Sequence, residues 1–529
     1  MLDLTQLHSA IRHENGLSRR LFLAYGAALS SLPLLASQTQ AARRRKISFS
    51  SNPFSLGVAS GDPVHDGVVL WTKLAPKPLE PQNGVPPEAI EVQWEIARDE
   101  ALKDVVQHGT TLAAPELGHA VHVEVTGLQP DRWYWFRFHA GDATSPIGRT
   151  RTLPAPAVLP EQLKFAFASC QHYEYGLYTA YEHMAKDDLD LVFHLGDYIY
   201  EYEAKDNLVR QHVGGKCKSL DDYRTRHNQY RMDPLLQNMH TRCPWFVTWD
   251  DHEVENNYAG DIPQKEGVTT ADFLTQRAAA YQAYYEMMPL RGASLPQGPH
   301  MQLYRKATFG RLAEFMILDT RQYRSDQPNG DGVKEINEAT LAPEQSLLGK
   351  TQSDWLKTSL QGSQGTWNVL AQQVMMGMVD LAPGEATKYA MDQWSGCAGE
   401  RIELVRFLAD RKISNPVVLT GDIHSNWVND LRVDDRQNET PVIATEFVGT
   451  SISSGGNGTA DSEKLAKLLS ENPGTKFLNR QRGYVRCTLN AKDWRSDFVV
   501  VEDVTKPGAP AVNRASFIVE AGHPGAHTA

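Results

Sequence analysis

Two hydrophobic rhythms divide this chain. Between residues 53 and about 153 the apolar positions come in short runs rich in β-branched and aromatic residues. Gly67-Val68-Val69-Leu70-Trp71, Val92-Gln93-Trp94-Glu95-Ile96 and the alternating His119-Ala120-Val121-His122-Val123-Glu124-Val125 carry the period-2 signature of half-buried strands. The turn Gly127-Leu128-Gln129-Pro130-Asp131 leads into the aromatic run Trp133-Tyr134-Trp135-Phe136-Arg137-Phe138. A Leu-x-Pro turn followed by such a strand resembles the corner of fibronectin-type sandwiches, so this segment predicts a small β-sandwich. Pro154, Pro156 and Pro160 punctuate a linker.

From Leu163 onward, apolar strands alternate with stretches of helical pattern at 274–287, 352–360 and 401–408, which predicts an α/β layered domain. The expected organisation is therefore α/β: a layered α/β-sandwich domain over 162–520, preceded by an all-β sandwich over 50–153. The residues at the end of each apolar run are the informative ones. Phe165-Ala166-Phe167-Ala168 ends in Ser169-Cys170, and Leu191-Val192-Phe193-His194-Leu195 in Gly196-Asp197-Tyr198-Ile199-Tyr200. Phe246-Val247-Thr248-Trp249 ends in Asp250-Asp251-His252-Glu253, Phe315-Met316-Ile317-Leu318 in Asp319-Thr320-Arg321, and Val417-Val418-Leu419-Thr420 in Gly421-Asp422-Ile423-His424. Sites in α/β sheets gather beyond the carboxyl ends of strands. Repeated handover from apolar run to ligand-type residue marks one shared site.

Composition narrows what that site serves. With 529 residues, 41% of them hydrophobic, the chain can bury a large core. A formal charge of −11 gives no electrostatic footprint for nucleic acid or an anionic membrane, so an anionic substrate must be attracted by local charge or metal. The first forty residues read as an export signal. Ser18-Arg19-Arg20-Leu21-Phe22-Leu23 is a twin-arginine pattern, the apolar run to Ala36 is short for a membrane span, and Thr39-Gln40-Ala41 offers a cleavage site, so 1–41 is read as a signal peptide. The expected location is periplasmic or secreted, with the twin-arginine machinery as export partner. The five cysteines, an odd number, leave at least one without an intramolecular partner. Cys217, Cys243, Cys397 and Cys487 take the structural reading.

Aspartate, histidine, tyrosine and a thiolate at separate strand ends suit a multi-metal hydrolytic centre. Carboxylates hold hard cations, imidazole suits transition metals, and thiolate and phenolate hold a trivalent or softer ion. Such a centre activates water and neutralises charge on a phosphoryl group. The glycines before Asp197 and Asp422 suit a backbone turning sharply beside a ligand.

Ser-Cys, Gly-Asp-Tyr-Ile-Tyr-Glu, Trp-Asp-Asp-His-Glu-Val-x-Asn-Asn and Gly-Asp-Ile-His, in that order, resemble the motifs of the PhoD-type alkaline phosphatases and phosphodiesterases, relatives of the purple acid phosphatases in the calcineurin-like fold. The resemblance spans roughly 50–520. It implies hydrolysis of phosphomonoesters or phosphodiesters by a metal-activated water, with one ferric ion and calcium ions as cofactors. It implies Cys170 and Tyr200 as iron ligands, Asp197 as a bridging carboxylate, and Asp251, Asp422 and His424 as further ligands. Asn256 or Asn257 is implied to ligate calcium or hold phosphate. Carboxylates at Asp251 and Asp422, where the wider superfamily has Asn and His, favour a hard ion such as calcium. His252 and Asp251 are the expected catalytic residues, and Asp319 and Arg321 the candidates for reaching the phosphate. Asp250 ranks below Asp251.

Two other functions compete. A covalent serine hydrolase needs a Gly-x-Ser-x-Gly elbow, which the Ser-rich stretch at 450–456 does not supply. An extracellular binding module would use the β-sandwich and leave the α/β domain as inactive scaffold.

Overall fold

A computed structural model describes residues 48–529 apart from 383, 385 and 460–462, so the export segment read at 1–41 lies outside the described residues. Two large sheets face each other. In the seven-stranded sheet the order is Arg305–Phe309, Ala313–Ile317, Trp367–Ala371, Pro416–Thr420, Ala444–Val448, Asn426–Leu431, Thr475–Asn479. The four strands from Ala313–Ile317 to Ala444–Val448 run parallel. The ten-stranded sheet places Leu163–Ala168, Leu191–Leu195 and Trp245–Thr248 side by side and parallel at its centre. These strands are buried almost throughout, which is why they read as continuous apolar runs rather than alternating ones.

The core between the sheets is aromatic. Phe165 packs edge-on against Phe193 at 5.4 Å and Phe315 at 5.7 Å, and Phe193 meets Phe315 across the interface at 4.8 Å. At the site end the two layers are tied by a parallel bridge between Ser169 and Ser451 and by Thr248 Oγ1 donating to the Leu318 carbonyl at 2.9 Å. The carboxyl ends of both parallel sets therefore open onto one face.

Helices cover the outside. The helical patterns extend to Thr270–Met287, Gly349–Gln361 and Ala398–Asp410. Thr269 caps the first of these, its hydroxyl accepting the Asp272 N–H at 3.1 Å.

The N-terminal segment is β-rich, as its rhythm predicts, with short 3-10 turns at Pro81–Gly84 and Pro115–Leu117. Ile90–Ala97, Val105–Ala113, Trp133–Ala140, Ala143–Thr144 and Gly148–Arg151 form a sheet of their own. It packs on Val58–Val64, Gly67–Lys73 and Ala120–Thr126 through Val68, Leu70, Val92, Ile96, Phe136 and Phe138. The predicted corner is present, with the Gln129 N–H donating to Tyr134 Oη at 2.9 Å. The other layer of this sandwich is not separate from the rest of the molecule. Its three strands continue the ten-stranded sheet, Gly61 pairing in parallel with Trp245. Glycine is required at that seam, since a Cβ on Gly61 would lie 2.8 Å from the Trp245 carbonyl oxygen and 2.6 Å from that of Pro289.

Candidate metal centre

The backbone leaves the central strands through left-handed turns carried by the functional residues themselves. Cys170, Asp197, Asp422 and His424 have φ of 58°, 56°, 63° and 52°. Side chains other than glycine reach this region at a cost, and such outliers cluster at functional sites. Gly196 has φ 110°, and a Cβ there would meet Asp250 Cβ at 2.5 Å. Gly421 has no left-handed φ. It is needed for close approach, because its Cβ would lie 2.6 Å from Ser169 Oγ. Of the two glycines, Gly196 serves the turn and Gly421 lets the two sheets meet.

Donor atoms converge from both sheets. Cys170, Asp197 and His424 each offer an atom within 4.8 Å of the others. Tyr200 joins them, its hydroxyl donating to Asp197 Oδ2 at 2.7 Å and lying 3.1 Å from His424 Nε2. Asp197, Asp251 and His252 form a second such group, and Asp250, Asp251 and Asp422 a third. The first group mixes thiolate, phenolate, imidazole and carboxylate, whereas the third is all carboxylate. Those two donor sets suit, respectively, a transition metal and a hard cation.

Each central carboxylate has one oxygen engaged and one free. Asp197 Oδ2 accepts from Tyr200 and Asp251 Oδ2 from the Asn257 N–H at 2.6 Å, while Oδ1 of both is buried with no hydrogen-bond partner. Asp250 Oδ2 is likewise unpartnered. Buried orphan acceptors of this kind are expensive unless a cation meets them.

Electrostatics agree. Burial, then Asp197 and Asp422, pushes the Cys170 thiol well above its ordinary range. Burial, then Asp197 and Cys170, does the same to Tyr200. Burial and the neighbouring Asp251, Glu253 and Asp422 outweigh His252 and hold Asp197 up. Desolvation, helped by Asp392 and Asp251 and opposed by Arg321, lifts Asp422 to about 6. His424 is pushed down to about 3 by desolvation, Arg482 and His252, which leaves a neutral imidazole with a lone pair to give. Without a cation these acids resist ionising together. With one, the same crowding becomes a ligand cage.

Two basic groups face the carboxylates. Arg321 is fully buried. Its Nε donates to Asp250 at 2.5 Å, its Nη atoms to Asp392 at 2.8 and 2.9 Å, and Nη2 lies 3.7 Å from Asp251 and 3.8 Å from Asp422. His252 donates from Nδ1 to Glu201 at 2.8 Å and packs its ring 4.2 Å from that of Tyr200. Burial disfavours its imidazolium, yet Asp251, Asp197 and Glu201 win and raise its pKa well above normal.

The remaining candidates sit further out. Asp319 accepts the backbone N–H groups of Arg321 and Gln322 at 3.0 and 2.9 Å and has no bond to the acidic cluster. Asn256 Oδ1 accepts from Tyr202 at 3.0 Å, and Asn257 donates from its side chain to Asp331 at 2.9 Å. All five cysteines are buried and free.

Several residues that shape the site escaped the reading of the sequence. Glu201 and Glu253 stood at the ends of two motifs already in view. Glu253 accepts the N–H groups of Asp197, Tyr198 and Asp250 and so clamps two ligand turns together. Ser454 Oγ, 2.6 Å from the Cys170 carbonyl and 2.8 Å from Tyr200 Oη, lies in the serine-rich stretch weighed only as a nucleophile elbow. Asp392 and Gln393, which hold Arg321 and Asp422, had no signal beyond residue type.

Similarity to known proteins points the same way. Residues 165–498 match the model of the PhoD-like phosphatase family, and 38–154 match that of the PhoD-like phosphatase N-terminal domain. The chain is 49% identical over 515 residues to a Bacillus subtilis (strain 168) protein named alkaline phosphatase D, covering 96% of this chain and 88% of that one. It also superposes on a solved structure of PhoD with a TM-score of 0.89 and 50% identity, covering 91% of this chain and 93% of the other. The chain belongs to the PhoD-like phosphatase family.

Proposed function

We propose that this metal-dependent phosphoesterase cleaves phosphomonoesters and phosphodiesters, that Cys170, Asp197, Tyr200 and His424 would hold ferric iron and Asp251 and Asp422 calcium, and that Asp197, which belongs to two donor groups, would serve both. The observation that carries this is the convergence of Cys170, Asp197, Tyr200 and His424 beside carboxylate oxygens that have no hydrogen-bond partner. Bound there, the cations supply Lewis acidity to a water nucleophile and neutralise the phosphoryl group.

The chain's own groups do the rest. Glu201 holds the His252 Nδ1–H and leaves Nε2 to deliver a proton to the departing alcohol oxygen. Arg321, with Nη2 3.7 Å from Asp251 and 3.8 Å from Asp422, would bring positive charge toward the substrate anion, and Asp319 fixes its backbone. Asn256 and Asn257 order the loop beside Asp251, Asn257 through its N–H.

The export reading accompanies this proposal. The Arg19-Arg20 pattern lies outside the described residues, and no described helix is long and apolar enough to cross a membrane. Metal analysis of natively exported protein, with activity followed through chelation and calcium restoration, tests the core of the proposal. Iron in the isolated protein and calcium-dependent recovery are expected. Full activity in an iron-free, chelated sample would overturn it. A binding module is not favoured, since both the family and this donor set belong to a phosphoesterase.

A further inference from the structure

One loop at the mouth of the centre is fixed more firmly than its exposure suggests. The buried Glu174 carboxylate accepts the backbone N–H groups of Lys205 and His212, both at 3.0 Å. The Glu174 carbonyl accepts from Val209 and Arg210 at 3.0 and 3.3 Å. Arg210 then stacks 3.8 Å above the Tyr173 ring and pairs with Asp233 at 2.7 Å.

His172, Glu174 and His212 could be taken for a second metal site. The hydrogen bonds argue otherwise. Tyr230 Oη accepts two N–H groups, from Tyr173 and Tyr200, so its own proton goes to His212 Nε2 at 2.9 Å. His212 must then carry its proton on Nδ1, which donates to the Tyr202 carbonyl at 3.0 Å. That nitrogen is unavailable to a cation, and the cluster is a peg that sets Tyr202 and Lys205 in place.

The peg holds a path outward from His252. The Tyr202 ring meets the His252 ring edge-on at 5.1 Å, and its hydroxyl is tied to Asn256. Tyr175 stands alongside, both tyrosines half-exposed, with the Lys205 ammonium 5.9 Å from the Tyr175 ring and 5.4 Å from that of Tyr202. Lys216, on the same stretch, is occupied by Glu201 at 3.7 Å and Glu255 at 3.6 Å. Lys205 pairs with no carboxylate among the described residues, and the adjacent Asp206 accepts instead from Gln211 at 3.4 Å.

We propose that Tyr175, Tyr202 and Lys205 form a subsite for the alcohol part of the ester, fitted to a planar group that carries a negative charge on its far side. The proposal rests on the assignment of His252 as the acid at which the alcohol departs. A departing group beside His252 then lies over Tyr202, and Lys205 caps the far end of that shelf. Ring against ring and ammonium against anion are the contacts these side chains offer.

The test compares kcat/KM for ethyl phosphate, phenyl phosphate and 4-carboxyphenyl phosphate, each variant against the parent, so that intrinsic reactivity cancels. Lys205→Ala should lower the preference for 4-carboxyphenyl over phenyl phosphate about fivefold, the scale of one partly exposed ion pair. Lys205→Glu should lower it further and favour 4-(trimethylammonio)phenyl phosphate. Tyr202→Leu should lower the preference for phenyl over ethyl phosphate by a similar factor. Unchanged ratios in all three variants would overturn the subsite. The reading of His252 fails separately, if His252→Ala keeps the parental rate on ethyl phosphate, whose poor leaving group needs the acid most.

Discussion

Lys73 and Glu286 are as deeply buried as Asp197, Asp250 and Asp251, yet the two clusters balance their charge in different ways. At the seam between the N-terminal strands and the helix Thr270–Met287, Glu286 receives two hydrogen bonds from Arg224 at 2.6 and 2.8 Å and one from Gln282 at 3.0 Å, with the Lys73 ammonium at 3.6 Å. Burial of Glu286 is outweighed there by Arg224 and Lys73, and its carboxyl stays below the usual range. At the strand ends the carboxylates outnumber the bases that face them, and oxygens of Asp197, Asp250 and Asp251 are left without hydrogen-bond partners. One cluster carries its counter-charge within the chain, the Lys73 ammonium facing Glu286 as an ion pair without a hydrogen bond. The other needs a cation. A structural ion pair brings its own counter-charge, whereas a metal site withholds it.

That contrast is most severely tested at Cys170. Cys170→Ser removes a donor and should strip most of the iron and nearly all turnover, beyond the ~10²-fold typical of losing a supporting partner. Unfolding should stay close to the parent, because the change is small in volume. Iron per chain measured beside turnover decides it, and a full iron complement with a near-parental rate would return Cys170 to the core.

His252→Ala should cost about 10²–10⁴-fold in turnover while metal content stays near normal. Loss of iron in that variant would move His252 among the ligands.

The next pair of variants sets one cluster against the other in metal-free protein. Glu286→Ala strands Lys73 and Arg224 without their partner and should destabilise by about 3–5 kcal/mol in urea unfolding. Asp197→Asn relieves like-charge crowding and should leave metal-free stability equal or higher. Equal destabilisation by both would erase the distinction between the clusters.

The smallest effect is a pH slope. Burial, assisted by Arg224 and opposed by Glu286, brings the Lys73 ammonium from 10.5 to about 8. Between those values the unfolded chain holds more protons than the folded one, so stability should rise with pH across that window. The cost is complete below pH 8 and relieved above it, amounting to about 3 kcal/mol. Lys73→Met should flatten the slope.

Much of this was legible along the chain because the signals are local. An apolar run that stops at a ligand-type residue is visible in a handful of letters, and buried parallel strands leave no polar alternation to blur it. Gly196-Asp197, Asp251-His252 and Asp422-x-His424 could be read that way, as could the turn before Trp133. The Arg19-Arg20 pattern that carries the export proposal is equally local, complete within a few residues.

Tertiary structure alone decided which of those ends meet. Cys170 and His424 lie 254 positions apart and converge only because their strands belong to two sheets that face each other. Arg321 is held by Asp392 as well as by Asp250, and Asp392 stands on a loop with no periodic pattern to announce it. The N-terminal strands announced a sandwich, but strand rhythm gives the buried face of a strand and not the identity of its neighbour. The parallel pairing of Gly61 with Trp245, which merges that layer into the sheet carrying the site, therefore appears only in the fold. The chain encodes its donors one short segment at a time, while their distances, their counter-charges and the orphan oxygens that call for a metal arise from packing between segments far apart in sequence.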